Sequence, residues 1–182
     1  MSEIRALSTL LTPVSRTRRN HALEHATVQV LGERYRGVRL VGRSSPWGFY
    51  IWGHLPTEDV LAAAQEGLRR LKAGQRHLAI HPNCGSNLAV AGVLAGLGAF
   101  LVVEGYKRAE ANAGFFQRFM NWLNRLSLAC TAALLGIILA RPLGPLFQTH
   151  VTTDADVGDM RIVGITRETR FGIVSHRVQT ER

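Results

Sequence analysis

The stretch Ser86–Val103 reads SNLAVAGVLAGLGAFLVV and contains no charged side chain. As a helix rising about 1.5 Å per residue it covers roughly 27 Å, close to the thickness of a bilayer core. A second run, Asn121–Ala140, reads NWLNRLSLACTAALLGIILA and is free of charge from Leu126 onward. Trp122 and Arg125 suit one membrane interface, and Arg141-Pro142 is expected to end the span at the other. The chain is therefore expected to carry a two-helix transmembrane hairpin at residues 86–147, with spans at about 86–103 and 121–140. Small residues recur four apart, as Gly92/Gly96 in the first span and Ala132/Gly136/Ala140 in the second. Such faces let helix backbones approach closely in lipid. Both runs are near the lower length limit for a span, so a buried hairpin in a soluble protein is the competing reading.

Two spans return the chain to its starting side. The connector Glu104–Met120 holds Lys107, Arg108 and Arg118, and with Arg125 that side has four of the 22 basic residues. Arg69, Arg70, Lys72 and Arg76 lie just before the first span, so both termini are expected to be cytoplasmic. The net charge of +9 suits a domain held against anionic lipid. The bilayer is thus one expected partner. Nucleic acid is not, because aromatic residues are not interleaved with the arginines in a recognisable binding pattern. Two cysteines far apart, Cys84 and Cys130, argue against a disulfide scaffold. Cys130, in an apolar run, is expected to be a small buried residue. The N-terminus lacks a continuous apolar core preceded by basic residues, so it is expected to be retained rather than cleaved as a signal peptide.

Before the first span, residues 1–85 read as a small α-β-β-α-β domain. Thr17 or Asn20 is expected to cap a helix running to about Tyr35, which Gly37 ends. Val38–Arg43 and Phe49–Leu55 are expected strands, joined through Ser44-Ser45-Pro46-Trp47-Gly48. Pro56–Asp59 opens a second helix that Gly74 stops, and His77–His81 reads as a short strand. After the second span, Gln148–Thr153 is expected to be extended. Met160–Thr166 and Arg170–Gln179 alternate as a hairpin turning at Arg167-Glu168-Thr169. This C-terminal segment, 148–182, can add strands to the same sheet. The fold class expected is α+β.

The stretch NHALEHA at residues 20–26 carries the chemistry. In a helix, positions i, i+3 and i+4 share one face, and His21, Glu24 and His25 occupy them. Two neutral imidazoles so spaced can bind one zinc ion, with the acid beside the water it activates. Zinc lowers the pKa of such water to about 7, and Glu24 can take its proton. A plainer reading makes Glu24 an acid favoured near a helix N-terminus and His21 an exposed first-turn residue.

The HxxEH pattern resembles the inverzincin signature of pitrilysin-type metallopeptidases. That resemblance implies His21 and His25 as Zn2+ ligands and Glu24 as general base. The longer stretch RNHALEHATVQVL, with HPNCGSN and the two spans, is similar to a family of two-span bacterial membrane proteins without assigned activity. Membership there implies a multi-pass protein of the bacterial inner membrane.

A catalytic zinc normally has three protein ligands and an open position. His81 and Cys84, in His81-Pro82-Asn83-Cys84-Gly85-Ser86-Asn87, enter the first span from the same side as HALEH and are the leading candidates. The same segment also suits a turn, with Asn83 or Ser86 capping the helix. His54 is a further candidate. Glu104 qualifies only if the first run does not cross a membrane. The acids of the tail, Asp154, Asp156 and Asp159, lack calcium-loop spacing and read as a solvated loop. The function expected is that of a membrane-anchored, zinc-dependent, metallopeptidase-like hydrolase acting on a peptide or protein. The alternative is a non-catalytic metal-binding membrane protein serving as sensor, assembly factor or scaffold, which a thiolate ligand favours. Neither the substrate nor the oligomeric state is encoded in any recognisable motif.

Overall fold

The structure, a computed structural model, describes residues 2–107 and 114–181; the central connector residues, Arg108 included, lie outside the described residues. It is a mixed α+β chain that divides into two units, Met1–His81 with Thr149–Arg182, and Pro82–Gln148.

In the first unit, helix α1 (Ser2–Arg34) and helix α2 (Thr57–Lys72) cover a sheet of β1 (Val41–Ser45), β2 (Gly48–Trp52), β3 (Arg161–Arg170) and β4 (Ile173–Glu181). The strand order is β1-β2-β4-β3, all neighbours antiparallel. The C-terminal hairpin thus completes the sheet begun by the N-terminal one. Alternation sorts the faces. Phe49 and Ile51 of β2 pair with Val178 and His176 of β4, and all four are buried. From α1, Ala22, Leu23, Ala26, Val30 and Leu31 join this core, and Val60, Ala63, Ala64 and Leu71 come from α2. The two helices cross closely at Gly67, where a Cβ would lie 3.1 Å from that of Ala26.

Several local expectations change. Helix α1 runs through Pro13 rather than starting at Thr17 or Asn20. Thr17 instead bonds back to the Pro13 carbonyl, and Asn20 points into the unit and donates to the Ser45 carbonyl. The stretch around His77–His81 is a 3-10 turn (Arg76–Ala79), not a strand, because its carbonyls are taken by α1 side chains instead of a neighbouring strand. The C-terminal hairpin turns at Phe171-Gly172, later than expected. Both residues have positive φ, at 50° and 76°, as a two-residue hairpin turn requires. Gln148–Thr152 is a wide helical turn rather than an extended segment.

The second unit consists of α3 (Gly85–Lys107) and α4 (Phe115–Phe147). Both are long and apolar enough to cross a membrane. Leu97, Leu101, Leu134 and Ile138 point outward, as lipid-facing residues would. Helix α4 continues through Pro142 and Pro145, past the expected stop at Arg141-Pro142. Close contacts show the helices to be antiparallel: Gly98 meets Ala132, Gly136 meets Leu94 and Ala95, and Gly144 meets Asn87. At the last contact Gln148 donates to Asn87 Oδ1 at 2.6 Å, and Asn87 donates to the Pro82 carbonyl at 2.7 Å. The small-residue face of α4 is used as expected, since Gly136 and Ala140 are buried. The Gly92/Gly96 pair of α3 is not, because no atom within 4 Å would meet a Cβ there. Cys130 is exposed on α4 rather than buried.

Two predictions follow from this packing. In Gly136→Leu the new Cβ would lie 2.6 Å from the Leu94 carbonyl carbon. Thermal unfolding in detergent should show a loss of about 1–3 kcal/mol, whereas Gly92→Ala should change little. The second concerns His176, whose pKa is lowered by burial and then by the charge of Arg167. The folded chain thus disfavours its protonation. Its contribution is complete above the unfolded pKa of about 6.5 and declines as pH falls below it. A pH series of unfolding midpoints should show that decline, and His176→Leu should flatten it.

Candidate metal centre

Helix α1 puts His21, Glu24 and His25 within one turn, and the tertiary structure aims each ring. His21 Nδ1 lies 2.9 Å from the Thr152 carbonyl, and His25 Nδ1 lies 2.7 Å from the Ala79 carbonyl. A carbonyl oxygen can only accept, so each Nδ1 carries the proton and donates. In the neutral rings the lone pair is then on Nε2, the tautomer a metal ligand needs. The ring centroids are 4.3 Å apart. The ligand atoms of the pair lie within 4.8 Å of each other, close enough to share one ion.

Two further α1 residues build the walls of this site, and sequence reasoning passed over both. Gln29, four residues after His25, donates to the carbonyls of Leu78 at 2.9 Å and Ile80 at 3.1 Å. It thereby clamps the 3-10 turn that accepts from His25. Arg18, three residues before His21, donates to the carbonyls of His150 at 3.1 Å and Thr153 at 2.9 Å. It holds the segment that accepts from His21. The available signal was the i, i+4, i+8 stripe His21, His25, Gln29 on one helix face.

The clamped turn leads into His81, whose ring centroid is 5.7 Å from that of His25. Glu24 is only 6% exposed. Its carboxylate accepts a hydrogen bond from Ser44 Oγ on β1. Gly42, two residues earlier on the same strand face, leaves the room: any Cβ there would collide with the Glu24 carboxylate. This acid is therefore held by the sheet beside the histidine pair and is not one of the clustered ligands.

Cys84 belongs to the second unit, where its Sγ accepts from Ser86 Oγ at 3.1 Å. His54 is exposed just after β2, and Glu104 is near the far end of α3, about 30 Å along the axis from Gly85. In the tail, Asp154 and Asp156 accept from the backbone of residues 156 and 158, so they shape a loop as expected.

A family model described as a domain of unknown function, DUF6391, matches residues 16–165. The chain belongs to this family. The matched stretch holds His21, Glu24, His25, His81 and Cys84, and both apolar helices. An uncharacterised protein of the cyanobacterium Picosynechococcus sp. is 34% identical over 149 residues, covering 75% of this DUF6391 chain. The alignment covers 65% of that relative, so the chain spans less than two thirds of its length. No solved structure matches the chain.

The seat of Glu24 can be tested directly. Ser44→Ala removes a donor from a buried carboxylate and should lower unfolding stability by about 1–3 kcal/mol. Substitution of the exposed Arg43 on the same strand should change it by less than about 0.5 kcal/mol.

Proposed function

We propose that this chain is a membrane-anchored, zinc-dependent hydrolase acting on a peptide bond, with His21 and His25 as metal ligands and Glu24 as general base. The observation that carries the reading is the pair of Nδ1–H donations to the Thr152 and Ala79 carbonyls. Two rings on one helical turn are each set in the ligand tautomer by a backbone acceptor, as metal-binding histidines commonly are. Imidazole donors, with a thiolate nearby in sequence, suit zinc over magnesium or calcium.

The third ligand comes from the segment His81–Cys84. His81 follows the turn clamped by Gln29, and its ring is already beside that of His25. Cys84 is three residues further on, a chain reach of at most about 11 Å. Zinc, when bound, would supply Lewis acidity and acidify a water molecule. The chain's own part is to hold the carboxylate that accepts the proton. Ser44 fixes Glu24 from one side, and burial at 6% exposure keeps bulk water from competing for it. A peptide substrate would reach the site by pairing with the edge of β1, the strand that carries Ser44 and, among the described residues, pairs only with β2. The two apolar helices anchor the chain in a bacterial inner membrane. The excess of basic residues outside the connector favours cytoplasmic termini, and hence a cytoplasmic site.

One observation favours a second reading, a structural or sensing metal centre. The Glu24 carboxylate is already engaged by Ser44, and a thiolate from Cys84 would weaken the Lewis acidity that hydrolysis needs. Metal analysis and turnover on the purified full-length protein separate the two. Wild type should hold one zinc, and His21→Ala and His25→Ala should lose it. Glu24→Gln should retain zinc and cleave a peptide library at least about a hundredfold more slowly. Equal cleavage by Glu24→Gln and wild type would leave only the non-catalytic reading, and a wild type that takes up no zinc would sink both.

A further inference from the structure

The first unit has a second concavity, whose lining includes none of the histidines discussed above. It encloses about 440 Å3 between α1, the β1–β2 turn and the end of β4. That volume lies within the range of small-molecule sites. Trp47, Val157, Met160 and Val163 make its apolar wall. Most of its polar groups are committed. Thr180 donates to Asn20 Oδ1 at 2.7 Å, and Asn20 donates to the Ser45 carbonyl at 2.8 Å. Arg19 faces Asp154 at 3.5 Å.

Two charges of the lining are uncommitted. Arg16 stacks 5.9 Å over the Trp47 ring, but among the described residues its guanidinium has neither a hydrogen bond nor an ion pair. Glu181, exposed at the end of β4, likewise has none. The cavity thus offers one cation, one anion and an apolar wall. A simple anion would meet Glu181, and a simple cation would meet Arg16. An uncharged apolar ligand would strip water from both charges without replacing it. A zwitterion satisfies both at once.

We propose that this cavity binds a free amino acid or dipeptide with a bulky apolar side chain. Its carboxylate pairs with Arg16, its ammonium with Glu181, and its side chain lies on Trp47, Val157, Met160 and Val163. The guanidinium fork suits a carboxylate bidentately. This site does not depend on the metal reading, and it would serve equally as a sensor of amino-acid supply or of peptide breakdown.

Calorimetric titration of the full-length protein in phosphatidylcholine nanodiscs tests it. The probes are L-phenylalanine, its amide, its N-acetyl derivative, and glycine. L-Phenylalanine should bind, and each of the others should bind at least about tenfold more weakly. The variants should sort by charge. Arg16→Gln should erase the preference for phenylalanine over its amide, and Glu181→Gln the preference over the N-acetyl derivative. Both positions are away from the buried core, and each variant retains one arm of selectivity as an internal control of folding. Addition of zinc or of a chelator to the wild-type protein should leave this binding unchanged. Absence of phenylalanine binding would overturn the proposal. So would binding that keeps its charge preferences in both variants, or loss of the binding when the nanodiscs are made with phosphatidylethanolamine in place of phosphatidylcholine, which would assign the cavity to a lipid headgroup.

Discussion

The candidate site depends on backbone carbonyls that no strand or helix uses. Ala79, Leu78, Ile80 and Thr152 offer acceptors at the ends of short helical turns, and His25, Gln29 and His21 on α1 take them. A buried carbonyl without a donor is costly, and so is a buried imidazole N–H without an acceptor. Each solves the other's problem. The consequence for chemistry is orientational: a ring that turned over would lose the bond from its Nδ1 to the carbonyl. The same bonds secure two stretches of chain, one before α3 and one after α4, that have no ladder of their own.

Glu24 shows how the sheet enters the site. The acid sits on the helical turn of the histidines, yet its contacts lie in β1, through the Ser44 hydroxyl and the open space at Gly42. Those two residues are two apart on a strand, so they share one face. One strand face therefore supplies both the donor and the room for a buried carboxylate. The opposite face, with Tyr50 stacked on Trp52 and Arg177 over Tyr50, contributes nothing to this arrangement.

The helical hairpin follows a different logic. Its helices expose apolar side chains over most of their surface, so apolar burial does not single out one face, and close backbone approach marks the seam. Gly98, Gly136 and Gly144 make that approach, and polar Asn87 and Gln148 lock its end. The spacing of small residues marked the α4 face correctly. It marked the wrong pair on α3, because Gly92 and Gly96 satisfy the same four-residue rule as a true seam. Spacing identifies a helix face that can pack, whereas the neighbour determines which face does.

Much of the chain was legible from local pattern. Uncharged length determined the two apolar helices. An aromatic-rich run beside a turn signal marked β2, alternation marked β4, and the i, i+3, i+4 rule placed His21, Glu24 and His25 together, because all of these follow from local properties of a single element. What depended on distant residues was not legible. The His77–His81 stretch alternates like a strand, but it meets α1 side chains and becomes a 3-10 turn. The hairpin turn at Phe171-Gly172 carries a Phe where Asn or Asp would have signalled it. The partners of the histidines, 54 and 131 residues away, leave no trace in the motif. A short-range period can place a donor on a helix face, but only the folded chain decides which carbonyl it finds and therefore which nitrogen remains to bind a metal.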